Sequence, residues 1–399
     1  MNDKSNDSRS KSQRSHTKVV TAGRDPASYH GFVNPPVYHA STVLYPSAED
    51  FLAHRARYQY GRRGTPTTEA LELALQELEG PQCAGVSLLP SGLAAISAAF
   101  LSVVHAGDHL LITDSAYGPT RIFCDQILTR LGVTTTYYDP LIGGAIAGLF
   151  QPNTRLVYVE APGSLSFEMQ DTAAIAKAAH GKGALVLMDN TWATPLYFRP
   201  LDHGVDLVIQ AGTKYIGGHS DVMLGTVSAN AAAVTPLKHT VRYTGLCEGP
   251  DDVYLGLRGL RTLAIRLDRH YQSGLAIARW LARRDEVAEV IFPALPGSRG
   301  YDLWRRDFTG ACSLFGVEFK PEFSQIATHK FVEALELFGI GSSWGGFESL
   351  AVPTTGFITR TAGSGKFAGP VVRLHIGLED VDDLTADLRQ GLDAMWRND

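Results

Sequence analysis

The feature that most constrains this chain is a series of apolar, strand-length segments alternating with helical patterns between residues 84 and 230. "AGVSLL" and "HLLIT" are separated by a helical stretch from Leu93 to Val104, and "LVYVEAP" and "ALVLMDN" by the helical pattern "DTAAIAKAAHGK". "DLVIQ" and "VMLGTVSAN" complete the series. Strands that are apolar throughout are buried on both faces, and helices between them supply the cover. The pattern therefore predicts an α/β fold built on a mainly parallel sheet.

Around that series the texture changes twice. The first eighteen residues, "MNDKSNDSRSKSQRSHTK", hold no apolar cluster with which to pack, so a disordered polar tail is expected over 1–20. A loop-rich arm follows over 21–64. A helix opens at "TPTTEALELALQELEG", with Thr65 as cap, Pro66 in the first turn, Glu69 near the positive end and Gly80 as stop. A large domain is expected over 65–255. Past Gly249-Pro250, the long helical pattern "LGLRGLRTLAIRLDRHYQSGLAIARWLARR" leads to a smaller α+β domain over 256–399. It has strands "SLFGVEF" and "VVRLHIGL" and a closing helix from about Val381.

Composition excludes several classes. A length of 399 residues and 44% hydrophobic content suit a globular protein of about two domains. The net charge of -5 offers no basic face to nucleic acid. The four cysteines lie far apart with no CxxC pair, as expected of free buried thiols in a reducing cytoplasm, and no metal set is apparent. The uncharged run "CAGVSLLPSGLAAISAAFLSVVHAG" is long enough for a membrane span, but Pro90-Ser91-Gly92 interrupts it. It reads as strand, turn and helix, so no membrane partner is expected.

Four features of the alternating region bear on chemistry. Lys214, in "DLVIQAGTKYIGGHSD", follows an apolar strand into a glycine-rich loop, where open α/β sheets build their sites. Such a lysine is a surface charge, a phosphate contact or a Schiff-base nucleophile. Asp189 ends "ALVLMDN" and, as a buried carboxylate, needs a partner; a helix cap or an ion pair are the ordinary alternatives. In "LLPSGLAAI" a helix starts directly after a strand, and its free N–H groups suit a phosphate. Tyr117, after "HLLIT", either packs or covers a flat ring. Together the four describe one ligand. Pyridoxal phosphate needs a lysine for its aldehyde, an anion for its pyridinium nitrogen, a phosphate cup and an aromatic lid.

The segments "YGRRGTPT", "LLPSGLAAI", "TDSAYGPTR", "LMDNTWATP", "QAGTKYIGGHSD", "RDFTG", "SSWGGFESL" and "RLHIGLEDVDDL" resemble the Cys/Met-metabolism family of pyridoxal-phosphate enzymes. The resemblance runs from about Thr21 to the C-terminus and implies an aspartate-aminotransferase-like fold (fold type I). It implies Lys214 as the Schiff-base lysine, Asp189 as partner of the pyridine nitrogen and Tyr117 stacked on the ring. Gly92, Leu93 and Thr213 match phosphate-cup positions, and Tyr60 and Arg62 match a pair reaching a neighbouring subunit's phosphate. The site would then be shared between subunits, in a homotetramer built from dimers. Arg373 matches the clamp for the substrate α-carboxylate, while Ser343, Trp344 and Tyr60 line the substrate side. Two positions depart from common family usage: Ala211 stands where many relatives have serine, and Arg63 where many have another residue.

The reaction that the resemblance implies is α,β-elimination, with Lys214 as general base, Tyr117 or Lys214 as acid to the leaving sulfur, and L-cystathionine as substrate. Homocysteine, pyruvate and ammonia would be the products, a step of methionine synthesis, with cysteine or cystine as further substrates. Trp344 in "SSWGG" favours this over γ-cleavage or γ-replacement on the same scaffold, because γ-acting members commonly lack an aromatic there. A regulatory, non-catalytic cofactor-binding protein is disfavoured by the intact Lys214, Asp189 and Arg373.

Overall fold

The computed structural model describes residues 13–363 and 367–397. Its centre is a seven-stranded sheet: β1 (Gly85–Leu89), β2 (His109–Thr113), β3 (Thr134–Tyr138), β4 (Thr154–Glu160), β5 (Leu185–Asp189), β6 (Leu207–Gln210) and β7 (Gly225–Ala229). The order is β1-β7-β6-β5-β4-β2-β3, parallel except that β7 runs against both of its neighbours. Alternating side chains enter two separate cores. Leu156 and Tyr158 of β4 pack on one face, and Val157 and Val159 on the other. Double-sided burial is why the inner strands are apolar over most of their length.

A second sheet of four antiparallel strands, β8 (Val287–Ile291), β9 (Leu314–Phe319), β10 (Leu350–Pro353) and β11 (Val371–His375), has the order β10-β11-β9-β8. The core on one face of the large sheet continues into it through Phe292, Phe315 and Phe319. Among the described residues no helix is long and apolar enough to cross a membrane. The interrupted run at 83–107 is β1, a turn, and the helix Gly92–Val103. The capped start at Thr65 is also present, with Thr68 completing a reciprocal capping box on the helix Pro66–Glu79.

Two expectations need correction. The tail expected to be disordered over 1–20 instead forms a helix at Ser15–Thr21, with Val19 1% exposed; residues 1–12 lie outside the described residues. The helix holds because Arg261 donates to the carbonyls of Val19 (3.1 Å) and Ala22 (2.7 Å) and docks it on the globule. The long helical pattern over 255–284 is two helices, Pro250–Leu260 and Leu263–Leu281. The carbonyl of Gly259 is satisfied by the side chain of Arg266 (2.8 Å), so the helix can stop there without a breaker residue. In addition, Cys83, Cys124 and Cys312 are buried free thiols, whereas Cys247 is exposed.

Beside the carboxyl end of β2, the large domain is tied to the loop between β10 and β11. Asp114 is fully buried and pairs with Arg121 (2.8 Å). It also accepts from the N–H groups of Thr361 (2.8 Å) and Ala362 (2.9 Å) and from the Thr361 hydroxyl (2.8 Å). Burial alone would raise this carboxyl's pKa, but the donors from Ala362, Arg121 and Thr361 outweigh it and hold the pKa below its ordinary value. Asp114→Asn should therefore cost on the order of 3 kcal/mol at neutral pH, read as a lower urea midpoint. The folded pKa is depressed, so the ionised group's contribution is complete above the unfolded value. It is lost as pH falls through the lower folded value, and the gap between variant and wild type should narrow in acid. An equal midpoint at pH 7 would deny Asp114 this role.

Candidate active site

The parallel strands β4, β5 and β6 end side by side: Glu160 and Asp189, the last residues of β4 and β5, lie opposite each other, and Asp189 lies opposite Ile209, one residue before the end of β6. This edge carries the charged groups. The chain leaves β6 through a tight turn, in which the Lys214 N–H reaches Ala211 O (2.9 Å) and the Gly218 N–H reaches Lys214 O (2.8 Å). The turn aims Lys214 back over the edge. Its Nζ donates to Ser343 Oγ (2.7 Å) and sits 5.3 Å from the ring centroid of Trp344. Burial, reinforced by the positive charge of Arg373 and opposed by Asp189, lowers the amine's pKa to about 8. At pH 7 roughly a tenth of it is then neutral, against less than a thousandth for an ordinary lysine.

Asp189 is tethered by the Thr191 N–H (2.9 Å), and the Thr191 hydroxyl accepts from the Ala211 N–H (2.9 Å), which ties the end of β5 to the lysine turn. Burial raises the Asp189 carboxyl; Thr191 and the Lys214 charge pull it back. Beside it Glu160 is pushed well above the carboxylate range by burial and by the Asp189 charge. Two adjacent carboxylates at one sheet edge resist joint ionisation, which favours the protonated form of Glu160. Glu160 accepts from the Tyr117 N–H (2.8 Å) and the Tyr158 hydroxyl (3.1 Å). It thereby fixes the start of the Gly118–Ile122 helix and leaves the Tyr117 ring 45% exposed. Burial, then Glu160 and Asp189, raise the Tyr117 pKa against the pull of Arg373, so its hydroxyl stays protonated.

On the far side, Arg373 of β11 is buried, and no carboxylate lies within ion-pair distance of it among the described residues. Its Nη2 donates to the carbonyls of Ser342 and Ser343 (both 3.1 Å). Burial lowers its pKa to about 10, opposed by Tyr117 and Tyr215. A buried guanidinium without a counter-charge is costly, and a carboxylate arriving with a ligand would supply one.

The helix Gly92–Val103 points its start at the same edge. Ser91 caps it by accepting the Ala94 N–H (3.1 Å), which leaves the N–H groups of Gly92 and Leu93 without a helical acceptor. Gly92 is required by close approach, since a Cβ there would lie 2.8 Å from the Ala211 Cβ. Ala211 therefore packs directly against the start of this helix. The Thr213 hydroxyl both donates to Leu224 O (3.1 Å) and accepts from Leu224 N–H (3.0 Å).

The structure thus brings together Lys214, Asp189, Tyr117, Arg373, Ser343 and Trp344, with Gly92, Leu93 and Thr213 at one end. It does not bring in Tyr60 or Arg62 from the same chain. Tyr60 is 44% exposed, and Arg62 donates to Arg242 O (2.7 Å). His219, in the loop after Lys214, lies with its Nδ1 2.8 Å from the Gly217 carbonyl. A cleft of about 870 Å³ between the arm and the helix Pro66–Glu79 lies away from this edge; there Arg57 grips both oxygens of Glu69 (2.8 Å each). Sequence reasoning missed Glu160, although "VYVEAP" carried the same signal as "LMDN", a carboxylate ending an apolar strand.

Residues 16–393 match the family model described as Cys/Met metabolism PLP-dependent enzyme. A protein of Rhizobium johnstonii, provisionally named a cystathionine beta-lyase, is 55% identical over 95% of this chain and 96% of its own length. Cystathionine beta-lyase MetC of Escherichia coli K12 is 43% identical over 94% of this chain and 97% of its own. A crystal structure of cystathionine gamma synthase from Xanthomonas oryzae pv. oryzae, in complex with aminoacrylate and cysteine, aligns with a TM-score of 0.88. That alignment has 32% identity and covers 96% of this chain and 98% of the other. The chain belongs to the Cys/Met-metabolism family of pyridoxal-phosphate-dependent enzymes, which act on amino acids and have the type I fold.

Proposed function

We propose that this enzyme is a carbon–sulfur β-lyase that cleaves L-cystathionine to homocysteine, pyruvate and ammonia in methionine synthesis, with cysteine or cystine as further substrates. The observation that carries the reading is the Lys214 amine held between Ser343 and the Trp344 ring, opposite an Arg373 that has no carboxylate partner among the described residues. High identity to a cystathionine beta-lyase over nearly the whole chain supports it.

The residues fit pyridoxal phosphate. Asp189 offers a carboxylate to the ring nitrogen, Lys214 an amine to the aldehyde, and Tyr117 a ring face. Gly92 and Leu93 N–H groups, with Thr213, meet the phosphate, and Tyr60 and Arg62 reach it across the interface from a second copy. When bound, the cofactor supplies the electron sink that acidifies the Cα proton. Arg373 forks onto the substrate α-carboxylate. The Lys214 amine, kept partly neutral by burial, takes the Cα proton as general base. Asp189 holds a proton at the ring nitrogen. Tyr117 or Lys214 returns a proton to the leaving sulfur.

The shared site implies a dimer at least, and we extend it to a homotetramer. Large apolar side chains left open on the arm support this, notably Phe32 (70% exposed), Leu44 (88%) and Leu52 (78%). Four unpaired cysteines suit a cytoplasmic location. A second reading, γ-replacement as in the synthase that aligns, uses the same lysine and arginine. Product analysis separates them. Homocysteine with pyruvate from L-cystathionine is the expected result. Cysteine with 2-oxobutyrate would overturn β-cleavage, and turnover confined to an acyl-homoserine plus cysteine would replace it with synthase chemistry.

A further inference from the structure

Behind the lysine lies a fully buried polar cluster that the proposed reaction does not use: Tyr215, His270, Ser313 and His375. His375 and Arg373 are two residues apart on β11, so their side chains leave the same face of the strand. Both reach the loop 341–346. Arg373 holds its carbonyls at Ser342 and Ser343, and His375 Nε2 lies 3.1 Å from the Gly345 nitrogen and 3.2 Å from the Gly346 oxygen. That loop carries Ser343 and Trp344. Gly345 (φ 88°) presses directly on the lysine's own backbone, because a Cβ there would lie 3.0 Å from the Lys214 carbonyl carbon and the Tyr215 nitrogen.

The hydrogen bonds around His375 select one tautomer. Ser313 Oγ donates to Ile376 O (2.5 Å), and His270 Nδ1–H donates to the same carbonyl (2.8 Å). Ser313 Oγ is therefore left as an acceptor, and it lies 3.2 Å from His375 Nδ1. A proton on Nδ1 satisfies that contact and frees Nε2 to accept the Gly345 N–H. The opposite tautomer could donate from Nε2 to the Gly346 oxygen and accept at Nδ1 from the Tyr215 hydroxyl (3.5 Å), but it would set an N–H against the Gly345 N–H and leave that buried backbone donor without an acceptor, which is costly. Protonation of both nitrogens is opposed by burial and by the nearby His270, Arg373 and Lys214 charges.

We infer that His375, as the neutral Nδ1–H tautomer anchored on Ser313, is a positioning residue that holds the Gly345 turn so that Ser343 and Trp344 face the Lys214 amine. This deepens the reading of Lys214 as the working base and rests on it. Arg373 secures the first half of the loop and His375 the second, and the lysine meets the junction between them.

The test compares the holoenzymes of wild type, His375→Gln and His375→Asn. Glutamine can place an oxygen at the Nε2 position and accept the Gly345 N–H; asparagine reaches only the Nδ1 position. Three readouts are taken: kcat and KM on L-cystathionine, the thermal midpoint, and the pH titration of the bound cofactor's visible absorbance, which senses the lysine without turnover. The expected result is a kcat at least tenfold lower for His375→Asn, with KM changed less than threefold and the absorbance titration displaced by at least half a pH unit. His375→Gln should stay within about threefold of wild type in kcat, with its titration in place. Equal behaviour of the two variants, or a kcat loss with an undisplaced titration, would overturn the inference. Should His375→Asn not fold, Ser313→Ala removes the Nδ1–H acceptor while keeping the histidine; a displaced titration is expected, and an unchanged one overturns the inference. Failure of the β-lyase reading shows separately, in the products of the wild type, because the absorbance comparison does not depend on which substrate turns over.

Discussion

Lys214→Ala should abolish turnover, lowering kcat by at least about 10³-fold, since it removes both a covalent attachment point and a general base. The bound cofactor should also lose the absorbance that its bond to the lysine gives it, and it should become removable by dialysis. The fold should survive. The side chain's contacts are one hydrogen bond to Ser343 and the approach to the Trp344 ring. Against these stands the burial that lowers its pKa to about 8, which means that the charged form is held in the fold at a cost. The thermal midpoint of the variant should therefore equal or exceed that of wild type, as happens when a site residue is strained for function. Turnover at the wild-type rate would sink the assignment of Lys214 outright. Loss of turnover with loss of fold would mean that the lysine is structural.

How much of this was legible in the sequence follows from what burial does to a strand. β1, β2, β4, β5, β6 and β7 are covered on both faces, so their sequences are predominantly apolar and stand out. The three strands not anticipated, β3 ("TTTYY"), β8 ("VAEVI") and β10 ("LAVP"), are edge strands. An edge is partly wet, tolerates polar residues and a terminal proline, and loses the periodic signal. The site was legible wherever a polar residue interrupts an apolar run, as at Asp189, Lys214 and Arg373. Glu160 satisfies the same rule. His375 does not announce itself, because its partners lie 30 and 62 residues away in the chain. The helix Ser15–Thr21 was hidden for a similar reason: it is held by Arg261, about 240 residues on, rather than by its own composition.

Arg373→Ala should show its largest effect in kcat/KM, a fall of roughly 10²-fold to 10³-fold, the scale of a lost bidentate charged contact in a desolvated site. The buried Arg373 guanidinium has no carboxylate partner among the described residues, so the counter-charge that it awaits is best supplied by the substrate's α-carboxylate. KM should rise most. A smaller loss in kcat should accompany it, because the same side chain holds the carbonyls of Ser342 and Ser343 and so steadies the group bonded to Lys214. Arg373→Lys separates the two contributions. An ammonium keeps the charge but cannot fork onto a carboxylate while also bonding the loop, so its kcat/KM should fall between wild type and alanine. A decarboxylated substrate analogue gives the decisive comparison. With no carboxylate to clamp, wild type and Arg373→Ala should process it at similar, slow rates, so the mutational penalty on kcat/KM should nearly vanish. If alanine were as costly for the analogue as for the amino acid, Arg373 would act only through the loop, and the carboxylate would have to dock elsewhere.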